Sequence, residues 1–72
     1  MLFRSVVNYQ KAIEIDPSSE AAHYNLAVAY WKLKNWPKVV EELTRVLSMD
    51  PGNIAAKTYL NQAKVRLGYA SQ

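Results

Sequence analysis

The chain has no cysteine and only two glycines, and each shortage removes a class of chemistry. Without thiols there is neither a disulfide framework nor a thiolate metal site, and nothing points to an oxidising compartment. Gly52 and Gly68 stand in no spaced motif, so no glycine-rich loop exists to cradle a phosphate. His23 is the only histidine, with no cluster of carboxylates around it, which leaves a metal or catalytic site two or three ligands short. Long apolar runs are missing as well. None approaches the ~20 residues of a membrane helix, and the stretch from Met1 to Val7 contains Arg4 and lacks the length of a signal peptide. The expectation is a cytoplasmic chain with no cofactor, no metal and no membrane contact.

What is present is a packing pattern. Half of the 72 residues are apolar and 21% are charged, a balance that folds rather than stays disordered. A single core of this length supplies only about 3–5 kcal/mol of net stability. The net charge of +3 is small and interspersed, so charge alone indicates no nucleic-acid surface.

Self-similarity organises the chain. Asp16-Pro17 returns as Asp50-Pro51, 34 residues on, and at the same offset Ala21, Ala22, Leu26, Ala29 and Leu33 return as Ala55, Ala56, Leu60, Ala63 and Leu67. Within each unit the apolar residues fall at helical spacing, as in Leu26, Ala29, Tyr30 and Leu33, or Val39, Leu43, Val46 and Leu47. The residue before proline avoids the helical region, so Asp16 and Asp50 each close a helix. Asn35 can cap the helix that follows it, and Pro37 sits in that helix's first turn, where a missing N–H costs nothing. The pattern predicts an all-α chain of four helices near 2–15, 20–33, 36–49 and 53–68, with a frayed tail after Gly68.

The series His23-x2-Leu26-Ala27-x2-Tyr30, Val39-x3-Leu43, Val46 and Pro51 resembles the tetratricopeptide signature W-x2-L-G-x2-Y…A-x3-F…P, and the 34-residue period agrees. His23 replaces the family's Trp, Ala27 its Gly, Val39 its Ala and Leu43 its Phe. The resemblance covers residues 2 to 68 and implies a right-handed superhelical solenoid of helical hairpins, with the first helix of each pair on the inner surface. Residues 20–53 would form one complete repeat. Residues 1–19 would hold the second helix of a truncated repeat, leaving Val6, Tyr9 and Ile13 without their usual neighbour. Residues 54–72 would form a C-terminal capping helix and tail, because Lys57, Asn61 and Lys64 stand where the complete repeat has His23, Ala27 and Tyr30.

The same resemblance implies a non-catalytic scaffold that binds a peptide or protein on its concave face. The residues projecting there would be Ala21, Tyr24, Asn25, Val28, Trp31 and Lys32, and one repeat on Ala55, Thr58, Tyr59, Gln62, Val65 and Arg66. Tyr24, Trp31 and Tyr59 offer flat apolar area, Asn25 and Gln62 can bond a peptide backbone, and Lys32 with Arg66 can meet carboxylates. Trp31→Ala is expected to weaken binding while leaving helicity nearly intact. Relatives that grip a terminal carboxylate pair an Asn with basic residues on the next helix; Asn25 matches, but Ala55 and Tyr59 stand where the bases would be. Glu41 and Glu42, about 100° apart on one helix, read as a solvated face rather than an acid–base pair. His23 reads as a packing residue. Lys57, Lys64 and Arg66 lack an interleaved stacking platform, so nucleic acid is not an expected partner. The alternative is self-assembly, head-to-tail or domain-swapped, through the incomplete N-terminal repeat.

Overall fold

Described over residues 2–68 by a computed structural model, the chain forms α1 (Leu2–Ile15), α2 (Glu20–Lys32), α3 (Trp36–Met49) and α4 (Ile54–Leu67), with no strand among the described residues. The expected helices are present, and their ends differ by a residue because Leu33, Asn53 and Gly68 act as caps. The expected frayed tail lies outside the described residues.

Each boundary has a local cause, and the causes repeat with the sequence. The Asp16 carboxylate accepts from the Ser18 amide at 3.2 Å and from its hydroxyl at 2.8 Å, and Asp50 accepts from the Gly52 amide at 3.2 Å. These side-chain turns end α1 and α3. Ser19 then accepts the Ala22 amide at 3.1 Å and Asn53 the Ala56 amide at 3.0 Å, each satisfying a helix-start donor. Asn35 does the same for α3 at 3.4 Å, with Pro37 beside it. At the end of α2 the Asn35 amide donates to the Tyr30 carbonyl and the Lys34 amide to that of Trp31, both at 2.9 Å. This tight reversal holds Lys34 at φ 59°, the left-handed region. Gly68, 34 residues later, ends α4 at φ 84°.

Consecutive helices pack side by side into a slab of 37 × 27 × 14 Å. α3 supplies its centre: Val39 and Val46 are wholly buried and Leu43 nearly so. Leu26, Ala27, Ala29 and Tyr30 of α2 close on one side, and Ala56, Leu60 and Ala63 of α4 on the other. The alanines let helices approach while the larger residues fill the seams.

Two expectations need correction. Val6, Tyr9 and Ile13 do not lack a neighbour: Val6 is buried and the other two pack against the same core, because their helical spacing turns them toward α2. Among the described side chains of α1, the exposed large apolar residues are Val7 and Ile15. Nor is Glu42 solvated. It follows Val39 by three residues and precedes Val46 by four, so it lies on the inward stripe, whereas Glu41, a residue back, points to water.

Glu42 meets His23, which is buried as the sequence implied but is not inert packing. His23 Nδ1 lies 2.6 Å from Glu42 Oε1, and Nε2 lies 2.9 Å from the Pro17 carbonyl. A carbonyl only accepts, so Nε2 carries a hydrogen and donates. The short Nδ1–Oε1 contact then holds a proton on one of its two atoms. The imidazole thereby joins α2, α3 and the turn after α1.

Candidate functional site

α2 and α4 run parallel, and three contacts fix their register. At their starts Asn53 Nδ2 donates to Glu20 Oε2 at 2.9 Å. Midway, the rings of Tyr24 and Tyr59 meet at 6.5 Å. Beyond them Trp31 meets Tyr59 at 5.4 Å, and the Arg66 guanidinium sits 5.3 Å over the ring of Trp36, the first residue of α3. α3 lies beneath, so the two helices form the walls of a groove and α3 its floor.

The middle of the groove holds a cleft of ≈ 160 Å³. Tyr24, Val28, Trp31, Lys32 and Tyr59 wall it, and Ala27, Val39 and Leu43 form its base. A shallower recess adjoins it at the start of the helices, bounded by Glu20, Ala21, Asn25, Asn53 and Ala55, with Tyr24 shared between the two. Five of the nine expected site residues thus converge on one cleft, and Asn25 lies in the recess next to it. Thr58 and Gln62 are exposed on α4 and line neither hollow, and Arg66 borders the far end through Trp36. The incomplete carboxylate grip has a visible cause: Asn25 is accompanied by Ala55 and the carboxylate of Glu20.

Edge-to-face rings run through the site. Trp31 meets Trp36 at 4.9 Å and Tyr59 at 5.4 Å, and Tyr59 passes the chain on to Tyr24. Such pairs contribute about 0.5–1.5 kcal/mol each beyond their buried area. Trp31 is half-buried, packed against the core and in two of these pairs, so it serves the fold as well as the cleft. Its truncation therefore carries a stability cost that the sequence reading did not assign it. Burial, and next to it the charge of the neighbouring Tyr59, hold the Tyr24 hydroxyl above the usual tyrosine range, so it stays a neutral donor at ordinary pH.

Trp36 is the residue that sequence reasoning missed. The first residue of α3, it stands three residues before Val39 and seven before Leu43, on the same helical stripe, and the path of the turn brings it onto Trp31. The pairing of two tryptophans across a four-residue turn was the available signal.

The opposite face carries a mixed-charge hollow between α1 and α3, where Gln10, Glu14, Lys38, Glu42 and Arg45 surround the edges of His23 and Tyr30. Gln10 Nε2 donates to the Tyr30 hydroxyl at 3.2 Å, and Lys38 pairs with Glu41 at 3.2 Å. That hydrogen bond to Glu41 raises the Lys38 ammonium above the usual lysine range. Among the described residues no group of three or more His, Asp or Glu is arranged to hold a metal ion, and no helix is long and apolar enough to cross a membrane.

Comparison with known families gives two overlapping matches. A family model described as a TPR repeat matches residues 4–34, and one described as a tetratricopeptide repeat matches residues 20–53. Between them they run from the first turn of α1 to the cap of α4. No solved structure matches the chain.

Proposed function

Because the chain belongs to the tetratricopeptide repeat family, whose repeats generally mediate contacts between proteins and are generally non-catalytic, we propose that it is a non-catalytic scaffold binding a peptide segment of a partner protein in the groove between α2 and α4. One observation carries this reading: an apolar cleft of ≈ 160 Å³ walled by Tyr24, Val28, Trp31 and Tyr59. Aromatic walls give a ligand contact area at small entropic cost, and polar groups at the margins set its register. Lys32 borders the cleft itself and Asn25 the adjoining recess, while Thr58, Gln62 and Arg66 extend the same face along α4. Three of the four walling residues, Tyr24, Trp31 and Tyr59, belong to the ring chain, so the surface is held in shape before a partner arrives.

A peptide array incubated with the chain, followed by amide chemical-shift mapping of the strongest binders, tests the reading. The expected result is that independent binders compete with one another and move the signals of Tyr24, Val28, Trp31 and Tyr59. Shifts confined to Gln10, Lys38 and Arg45 on the opposite face would overturn it.

Self-assembly has less support in the geometry. The outer stripe of α4 is Lys57, Asn61 and Lys64, and exposed α1 presents Arg4, Asn8 and Lys11, so head-to-tail stacking brings cations toward cations.

A further inference from the structure

The groove is charged differently at its two ends. Glu20 stands in the first turn of α2 and bounds the shallow recess. Its single bond from Asn53 leaves a carboxylate, with about four acceptor sites, able to take an ammonium as well. At the other end Lys32 closes α2 and Arg66 lies in the last turn of α4. Acid near a helix start and base near a helix end suit the helix dipoles, and because α2 and α4 run parallel the two preferences add along one groove instead of cancelling.

Between the charged ends lies the aromatic cleft. An apolar cavity of roughly 150 Å³ accommodates a benzene-sized group, so ≈ 160 Å³ suits one leucine or phenylalanine side chain. Along the helix, Glu20 and Lys32 stand ~18 Å apart at 1.5 Å per residue. An extended peptide rises ~3.3 Å per residue and crosses that distance in about five or six residues.

Resting on the peptide-binding reading above, we infer that the groove selects an internal extended segment ordered as a cation, one large apolar side chain, then an anion. The cation faces Glu20, the apolar group enters between Trp31 and Tyr59, and the anion meets Lys32 and Arg66. A chain-terminal carboxylate has no place beside Asn25, because Glu20 shares that recess.

Of the chain's two tryptophans, Trp31 walls the cleft and Trp36 packs edge-to-face on Trp31, so intrinsic fluorescence reads the site. Three heptapeptides blocked at both ends are titrated at low salt: Lys-Ser-Ser-Leu-Ser-Ser-Asp, the same with Asp at both ends, and the same with Lys at both ends. The expected result is that the mixed peptide binds about three- to tenfold tighter than either single-sign peptide, an advantage that shrinks as salt screens it. Combining Lys32→Glu with Arg66→Gln should make the double-Lys peptide overtake the mixed one, a gain that mere loss of folding cannot imitate. Equal binding of all three peptides with a tryptophan response overturns the charge order and leaves the groove reading standing. Calorimetric binding without a tryptophan response overturns both. No binding of any of the three at millimolar peptide overturns this inference alone, since the array then decides the groove.

Discussion

α2 and α4 are the same helix of the repeat, 34 residues apart, and they agree on one face only. On α4, which packs on α3, the buried residues are Ala56, Leu60 and Ala63, and their equivalents Ala22, Leu26 and Ala29 are buried on α2. The other face divides them. His23, Ala27 and Tyr30 are buried under α3 and α1, whereas Lys57 and Asn61 are exposed and Lys64 is half-buried. A repeat is thus two half-interfaces. The backbone pattern and the face toward the preceding helix are common property, and the remaining face is written by whatever covers it. Apolar residues there need a neighbour, while lysines and asparagine are content in water.

The comparison is broken most strongly at the shared face. Leu26→Ala should cost about 2–5 kcal/mol, because the cavity opens between helices on both sides. Leu60→Ala should fall at the lower end of that range, since α4 is covered on one side only. Urea denaturation of both variants checks the order, and equal losses would mean that α4 is as enclosed as α2.

The divergent face gives a second contrast. His23→Ala should cost about 1–3 kcal/mol, because it strands the Glu42 carboxylate and the Pro17 carbonyl without their donor, whereas Lys57→Ala at the equivalent position should stay within about 0.5 kcal/mol. Glu42→Gln sharpens the contrast. A glutamine amide can donate to Nδ1 while Nε2 still donates to Pro17, so this variant should retain most of the stability that Glu42→Ala loses. Thermal melts of the four variants decide it.

The smallest effect lies at the helix ends. Lys34 adopts φ 59° where the later unit has Gly68 at φ 84°. Lys34→Gly should stabilise by up to about 1 kcal/mol by relieving the left-handed strain, and Gly68→Ala should destabilise by a similar amount. Opposite signs are expected from the same chemical denaturation experiment.

The local signals made most of the fold legible in the sequence. Proline after Asp16 and Asp50, the Asn35 cap with Pro37 beside it, and a 34-residue period sufficed for the four helices, since the stop and cap signals act within a few residues. The convergence of Tyr24, Val28, Trp31, Lys32 and Tyr59 was readable too, because parallel equivalent helices bring equivalent positions together. Glu42 and Trp36 were less visible. Periodicity sets both on the inward stripe of α3, but their partners, His23 at 19 residues' distance for Glu42 and Trp31 across the turn for Trp36, do not follow from the pattern along one helix. A lone His in a stripe facing α3, set against one acid among Val39, Leu43 and Val46, was the clue to the first.

The helices that share extensive contacts are neighbours in the chain, α1 with α2, α2 with α3 and α3 with α4. Opening therefore follows chain order rather than depth. Amide exchange should then be slowest in α2 and α3, each gripped from two sides, and faster toward the outer turns of α1 and α4. The aromatic cleft sits where that protection changes. Whatever fills it would be felt as slower exchange in α4, the helix with the most freedom left to lose.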